Sequence, residues 1–82
     1  MTGQPASGEL DMVRSAVESV LGVPVAPDTD FFGAGGDSLK AIDLVDRLRA
    51  DLDVQLDYVD VFDHPTPAQL VRFADSLRSG GA

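Results

Sequence analysis

The chain has 82 residues, with 6 Lys plus Arg against 14 Asp plus Glu, so its net charge is −8. This length supports one small core, which excludes large catalytic folds and two-domain architectures. The charge would repel nucleic acid and anionic membrane surfaces, and it favours protein partners with basic surfaces. Because the chain contains no cysteine, any thiol chemistry must come from an attached group.

Both ends of the chain are polar and rich in small residues. This composition predicts disordered tails over residues 1–8 and 79–82 around one folded domain of residues 9–78. The first residues lack a basic stretch followed by an apolar stretch, and no apolar run reaches the roughly 18 residues of a membrane span. We therefore expect a cytoplasmic monomer that does not bind membranes.

A first helix is predicted by apolar residues at helical spacing after Ser7, a candidate N-cap, and it should end near Gly22. These residues are Leu10, Val13, Val17, Val20 and Leu21. The following segment, residues 23–36, contains two prolines and three glycines, which neither a helix nor a central strand would tolerate together. Because such long loops are uncommon in compact domains, this one indicates a functional role.

A second helix is predicted from Asp37 to about Asp51, and the Asp37 carboxylate can accept backbone N–H bonds at its start. Ser38, Leu39 and Ile42 lie outside the apolar arc of this helix, so we expect an apolar surface patch beside Ser38. In the alternative, the long loop folds over Leu39 or Ile42 and buries them. The arc that should face the core contains Ala41, Leu44, Val45, Leu48 and Leu52.

Two further helices follow. The segment 58–62 is long enough for one short helix or strand, and we favour a short helix, which the next His-Pro pair ends. Thr66, Pro67 and Gln69 then supply a capping Thr, a Pro at the first helical position and a Gln three residues after the cap. Because the chain contains no βαβ pattern, the sequence predicts an all-α fold. The expected architecture is a small four-helix bundle with a short third helix and a long loop between helices one and two.

The glycine-rich stretch 33–39 can be tested against several known kinds of site. A phosphate-binding P-loop would need Lys where Asp37 stands. A dinucleotide-binding fingerprint would need a preceding strand, which the prolines of the loop interrupt. A calcium loop that starts at Asp28 would place Phe32 and Leu39 at ligand positions. We therefore predict neither a nucleotide site nor a metal site.

Residues 36–39 also spell the Gly-Asp-Ser-Leu motif of a hydrolase family with a nucleophilic serine. Such a serine needs a general base that a third group orients, and the only imidazole is His64. In those hydrolases an Asp precedes the His by three residues, where this chain has Val61. A chain of helices also cannot build the sheet and oxyanion hole that the mechanism requires. We therefore predict no catalytic residue and assign His64 to a turn.

Ser38 remains as an exposed hydroxyl at a predicted helix start, after glycines whose lack of side chains leaves room for an approaching partner. The N–H groups and dipole of the helix start would favour a phosphodiester on this hydroxyl. Two interpretations are open at this point. Either the hydroxyl is modified, or Ser38 only begins the helix.

Two blocks of sequence stand out. They are Asp30-Phe31-Phe32 followed by Gly35-Gly36-Asp37-Ser38-Leu39, and Phe62-Asp63-His64-Pro65-Thr66. With these blocks the chain resembles the carrier protein family, specifically its peptidyl carrier, or thiolation, branch, from about Leu10 to Leu77. The resemblance implies that Ser38 receives 4′-phosphopantetheine from coenzyme A through a separate Mg²⁺-dependent phosphopantetheinyl transferase.

The resemblance implies a shuttle that holds an aminoacyl or peptidyl group as a thioester. Gly36 and Asp37 match the motif positions before the modified serine, and Asp37 is expected to contribute to the encounter with Mg²⁺ and the transferase. Other implied partners are an adenylating enzyme and condensation, tailoring or thioesterase enzymes. The candidate docking residues for these partners are Leu39, Ile42 and Tyr58.

Two positions depart from the family pattern. Ala34 stands where members commonly have Leu, and Asp57 stands where many peptidyl carriers have Pro. The pair Asp57-Tyr58 is also similar to aryl carriers, so the alternative function is an acyl or aryl carrier of a polyketide or siderophore-type pathway. An unmodified helical interaction module is a further alternative. Met1 and the short tails suggest a free-standing carrier, although a module of a larger synthetase would look similar.

Overall fold

The computed structural model describes residues 5–80, with side chains described for residues 8–78. No strand occurs between residues 5 and 80, and the predicted four-helix bundle with a short third helix is confirmed. Over the same range, no helix combines the length and the apolar character that crossing a membrane requires. The helices are α1 (Pro5–Leu21), α2 (Ser38–Leu52), α3 (Tyr58–Asp63) and α4 (Pro67–Gly80).

The first and last helices, α1 and α4, are longer than the sequence predicts. Residues 5–8 were expected in a tail, but they form the first turn of α1, so the assignment of Ser7 as N-cap is wrong. Pro5 is compatible with this start because the first turn of a helix contains N–H groups that have no partner in the helix. α4 continues to Gly80, two residues into the second expected tail. The tail predictions for residues 1–4 and 81–82 fall outside the described residues.

An apolar core lies between the helices, with α1 packed against α2 and α4, and α2 packed against α3. All five side chains of the predicted α2 arc are buried, which confirms the helical wheel. Among the described residues, no polar or charged side chain is buried. The other helices contribute Val13, Ala16, Val17, Val61, Leu70 and Ala74.

The loops contribute core residues that helical periodicity does not identify. Val25 and Phe31 of the long loop are buried, and Phe31 is fully inaccessible. Val54 and Leu56 are buried between α2 and α3, while Gln55 between them is exposed. The loops therefore close the bundle on two sides.

The start of the long loop, residues 22–37, is fixed to α1. Gly22 follows the helix with φ of +75°, a left-handed conformation that glycine adopts without strain, and this confirms the predicted helix end. Glu18 Oε2 accepts hydrogen bonds from the Val25 backbone N–H at 2.9 Å and from the Arg14 guanidinium at 2.7 Å. The direction in which the chain leaves α1 is thus set by a side chain of α1 itself.

The middle of the long loop is fixed to the segment before α4 and to its first turn. The Phe31 N–H donates to the Pro65 carbonyl oxygen at 2.7 Å, and the Ala68 N–H donates to the Pro27 carbonyl oxygen at 2.9 Å. These two bonds connect parts of the chain that are more than thirty positions apart. They hold the loop across one end of the bundle.

Arg78 connects three helices at the opposite end of the bundle. Its Nη2 donates to Glu9 Oε1 of α1 at 2.6 Å, and its Nη1 donates to the Leu52 carbonyl oxygen at the end of α2 at 3.3 Å. Ser38 starts α2 and therefore lies about 20 Å away along this 15-residue helix.

α4 begins with the predicted capping box. The Gln69 N–H donates to Thr66 Oγ1 and the Thr66 N–H donates to Gln69 Oε1, each at 3.2 Å. Pro67 occupies the first helical position and is buried. The side chains of Thr66 and Gln69 thus satisfy two N–H groups that the helix leaves without partners.

Replacement of Thr66 by alanine should lower the free energy of unfolding by about 1 kcal/mol because it removes the cap. Urea denaturation followed by circular dichroism measures this change. Ser76→Ala is the control, since Ser76 is an exposed residue within the same helix, and it should shift the free energy by less than about 0.5 kcal/mol. Equal midpoints for Thr66→Ala and wild type would contradict the assigned role of Thr66.

Candidate functional site

Ser38 is the first residue of α2, and its side chain is exposed. Asp37 is the N-cap of the helix, as predicted, with extended backbone at φ −140°. Its Oδ1 accepts the Lys40 N–H at 2.9 Å, and its carbonyl oxygen accepts the Ala41 N–H at 2.8 Å. The Ser38 hydroxyl therefore lies at the rim of the bundle, next to N–H groups of the first helical turn.

A tight turn leads into this helix, and Asp30 stabilises it. Asp30 Oδ2 accepts the Gly33 N–H at 2.9 Å, and the Asp30 carbonyl oxygen accepts the Ala34 N–H at 3.0 Å. The Phe31 carbonyl oxygen accepts the Gly36 N–H at 2.9 Å. The turn thus closes immediately before Asp37, so the position of Ser38 depends on bonds made by Asp30 and Phe31.

The two glycines before Asp37 are required by the turn itself. Gly35 has φ of +110°, a conformation that strains other residues. A Cβ on Gly36 would overlap the Phe31 ring and lie 2.8 Å from the Phe31 carbonyl oxygen. From the sequence, these glycines are expected to leave room for an approaching partner. The structure instead shows a backbone requirement at Gly35 and an internal packing requirement at Gly36.

Aromatic side chains connect this turn to α3. The rings of Phe32 and Phe62 stack with centroids 4.6 Å apart and planes 10° apart. Phe31 meets the Phe32 ring edge to face at 5.1 Å, and Tyr58 meets the Phe62 ring in the same manner at 6.3 Å. This stack has no signal in the sequence, because its two rings come from blocks that are thirty positions apart.

Five of the seven exposed large apolar side chains among the described residues lie on α2 and α3. Leu39 is 77% exposed and Ile42 is 48% exposed, so the predicted surface patch is confirmed and the alternative that the loop covers them is wrong. We call this surface the α2–α3 apolar face. It consists of Leu39, Ile42, Tyr58, Val59 and Phe62.

Asp57 has a structural role that its similarity to a residue of aryl carriers does not indicate. Its side chain accepts the Tyr58 N–H at 2.8 Å, and Asp60 Oδ2 accepts the Asp57 N–H at 2.9 Å. Together these residues form a capping box at the start of α3. The cap explains Asp57 without reference to a cargo.

His64, the only candidate base for a hydrolase, belongs to the packing of α4. Its ring stacks on Phe73 with centroids 4.3 Å apart and planes 19° apart. Its backbone N–H donates to the Asp60 carbonyl oxygen and closes α3. Among the described side chains, no group of three or more His, Cys, Asp or Glu converges on a potential metal site. The structure thus places the His64 ring against Phe73 of α4 and its backbone at the end of α3.

An exposed serine that a rigid turn presents at a helix start, in a small helical bundle, is the arrangement of a carrier domain. The family described as "Phosphopantetheine attachment site" matches residues 11–74. The chain therefore belongs to the phosphopantetheine-attachment family, in which the cofactor is bound covalently.

The chain is similar to three known proteins or domains in particular. It is 39% identical over 86 residues to the phenolphthiocerol synthesis polyketide synthase type I Pks15/1 of Mycobacterium bovis, covering 95% of this chain and 4% of that protein. A solved nonribosomal PCP domain is 33% identical with a TM-score of 0.73, covering 87% of this chain and 92% of that one. McyG A-PCP complexed with phenylalanyl-adenylate is 29% identical with a TM-score of 0.78, covering 88% of this chain and 12% of that one.

The curated relatives are far longer than this chain. The chain spans 5% or less of the length of those it matches. The similarity therefore covers only a short part of each of these proteins.

Replacement of Gly36 by alanine should destabilise the fold by about 1–3 kcal/mol, because the added methyl group forces the turn away from Phe31. Gly8→Ala is the matched control. Gly8 lies within α1 and a Cβ there has nothing within 4 Å, so this change should stabilise the fold by about 0.4–1 kcal/mol. Urea denaturation of both variants measures the two shifts. A neutral Gly36→Ala would contradict the packing role assigned to Gly36.

Proposed function

We propose that the chain is a peptidyl carrier domain of nonribosomal peptide-type biosynthesis, with 4′-phosphopantetheine attached to the Ser38 hydroxyl. The observation that carries the proposal is the placement of Ser38. It is an exposed hydroxyl at the first position of α2, within the residues that match the phosphopantetheine-attachment family. The protein acts by presenting a cargo, and catalysis belongs to its partner enzymes.

The residues around Ser38 fit a phosphodiester. A Cβ at Gly35 would have nothing within 4 Å, so open space lies beside the turn that precedes the serine. The N–H groups and dipole at the start of α2 favour its negative charge. Asp37 is committed to the helix cap through Lys40, and we assign it the additional role of attracting the transferase-bound Mg²⁺.

When bound, the phosphopantetheine group supplies a terminal thiol that holds the cargo as a thioester, which the chain's own residues cannot do. The role of the chain is to fix one end of this arm. Tethering raises the concentration of the cargo at each partner, and α2 holds the attachment point at the surface. We place this activity in the cytoplasm, where coenzyme A is available for the modification.

We propose an amino acid or peptide as the cargo. The double glycine of residues 35–36 and the similarity to a nonribosomal PCP domain support this choice. The 39% sequence identity to a polyketide synthase supports the alternative, an acyl or aryl carrier. The capping role of Asp57, however, removes one argument for an aryl cargo. Mass spectrometry of the modified protein with aminoacyl-adenylating, aryl-adenylating and malonyl-transferring enzymes separates these cargoes.

The proposed partners are the phosphopantetheinyl transferase, an adenylating enzyme, and condensation, tailoring or thioesterase enzymes. Weak, shared docking suits an exposed apolar centre with charged residues around it. Leu39, Ile42 and Tyr58 of the α2–α3 apolar face are the proposed contacts. The net charge of −8 favours partners whose docking surfaces are basic.

The wild-type protein should gain one phosphopantetheinyl group when it is incubated with coenzyme A, Mg²⁺ and a broad-specificity transferase, and Ser38→Ala should gain none. Intact-mass measurement decides this. Ser15→Ala, which changes another exposed serine, is the matched control and should be modified like wild type. An unmodified wild type would support a plain interaction module, while Ser38-dependent cleavage of activated esters without cofactor would support the hydrolase alternative.

Truncation of Ile42 to alanine should slow loading by partner enzymes and leave the unfolding midpoint nearly unchanged, because the side chain is half exposed. A buried residue truncated in this way would cost about 2–5 kcal/mol. Met12→Ala is the control, since Met12 is an exposed apolar residue of α1, and its loading kinetics should match wild type. Normal loading of Ile42→Ala would remove Ile42 from the docking surface.

A further inference from the structure

We infer that Phe32 and Phe62 are positioning residues whose stack couples α3 to the turn that presents Ser38. A partner that contacts α3 thereby also acts on the attachment site. The expected effect on the modification of Ser38 rests on the proposed function. The coupling between α3 and the turn does not depend on that function.

The stack lies between the core and the surface. Phe32 is half buried, with Phe31 edge-on against it at 5.1 Å and the Phe62 ring parallel to it at 4.6 Å. Phe62 is 46% exposed and belongs to the α2–α3 apolar face. A ring that partners can reach is therefore in direct contact with a ring inside the loop.

On the loop side, the backbone carries the position of Phe32 to Ser38. The Phe32 carbonyl oxygen accepts the Gly35 N–H at 3.2 Å, and the Phe31 carbonyl oxygen accepts the Gly36 N–H at 2.9 Å. Only Asp37 then separates Gly36 from Ser38. A displacement of the Phe32 ring therefore acts on a turn that only one residue separates from the serine.

On the helix side, α3 depends on contacts outside itself. It has six residues, too few for a stable isolated helix. Val61 is its only buried residue, and Tyr58 and Val59 are exposed on the same short segment. The Phe32–Phe62 stack thus adds a contact between α3 and the long loop to the contacts that Val61 makes in the core.

Two other roles of Phe62 would produce different results. If Phe62 only contacted a partner, its loss would leave the turn unchanged. If Phe62 were a general packing residue, its loss would loosen the whole fold. A double-mutant cycle with Phe32 separates these cases, because coupled residues give non-additive effects and independent residues give additive ones.

Amide hydrogen exchange of the unmodified protein tests the coupling without any partner. Phe32→Leu and Phe62→Leu should each raise the exchange rate of the Gly36 N–H by roughly two- to tenfold. This ratio corresponds to the interaction free energy of one aromatic pair. The double variant should exchange no faster than the faster single variant. Phe62→Tyr, which keeps the ring, should match wild type, and so should Val59→Ala, an exposed α3 residue outside the stack.

Modification kinetics test the functional consequence. Phe32→Leu should lower kcat for phosphopantetheinylation with little change in KM, since Phe32 lies behind Phe62, whereas Ile42→Ala should act mainly on KM. Three results would overturn the inference: unchanged Gly36 exchange in both single variants, multiplicative effects in the double variant, or an equal rise at the amides of α2. A wild type that is not modified would refute the proposed function and leave the exchange result standing.

Discussion

The burial of Phe31 is the interaction on which the rest of this structure depends. Its ring is fully inaccessible and packs against the backbone of Gly36. Its N–H and carbonyl groups bond to Pro65 and Gly36. Burying one such side chain contributes about 1.5–3 kcal/mol, a large part of the stability of a domain this small. One residue thus fixes both the long loop against α4 and the turn that begins α2.

Along α2 and at the start of α4, the helical period and the capping pattern of the sequence predicted the structure correctly. The α2 arc, the Thr66 capping box and the exposure of Ile42 followed from 3.6-residue periodicity and helix-end chemistry. The buried loop residues Phe31 and Leu56 did not, because an irregular segment has no period that distinguishes inside from outside. The start of α1 was predicted too late in the chain, because the polar and small residues 1–8 have the composition of a tail.

The position of the candidate site could be predicted, but the reasons for its residues could not. The motif located Ser38 and Asp37, and the structure confirms both at the helix start. Gly36, however, is explained by Phe31, and the stack of Phe32 on Phe62 is a tertiary contact. The two blocks that carry the family resemblance are neighbours in space, and this proximity is a property that neither block shows alone.

The Arg78 contacts place the start of α1 and the ends of α2 and α4 together, at the pole opposite Ser38. Linkers that continue from α1 and α4 would therefore leave the bundle at this pole, about 20 Å from the start of α2 along its axis. A rotation of about 30° about this pole would move the start of α2 by about 10 Å. Such a rotation of the whole bundle changes no contact inside its core.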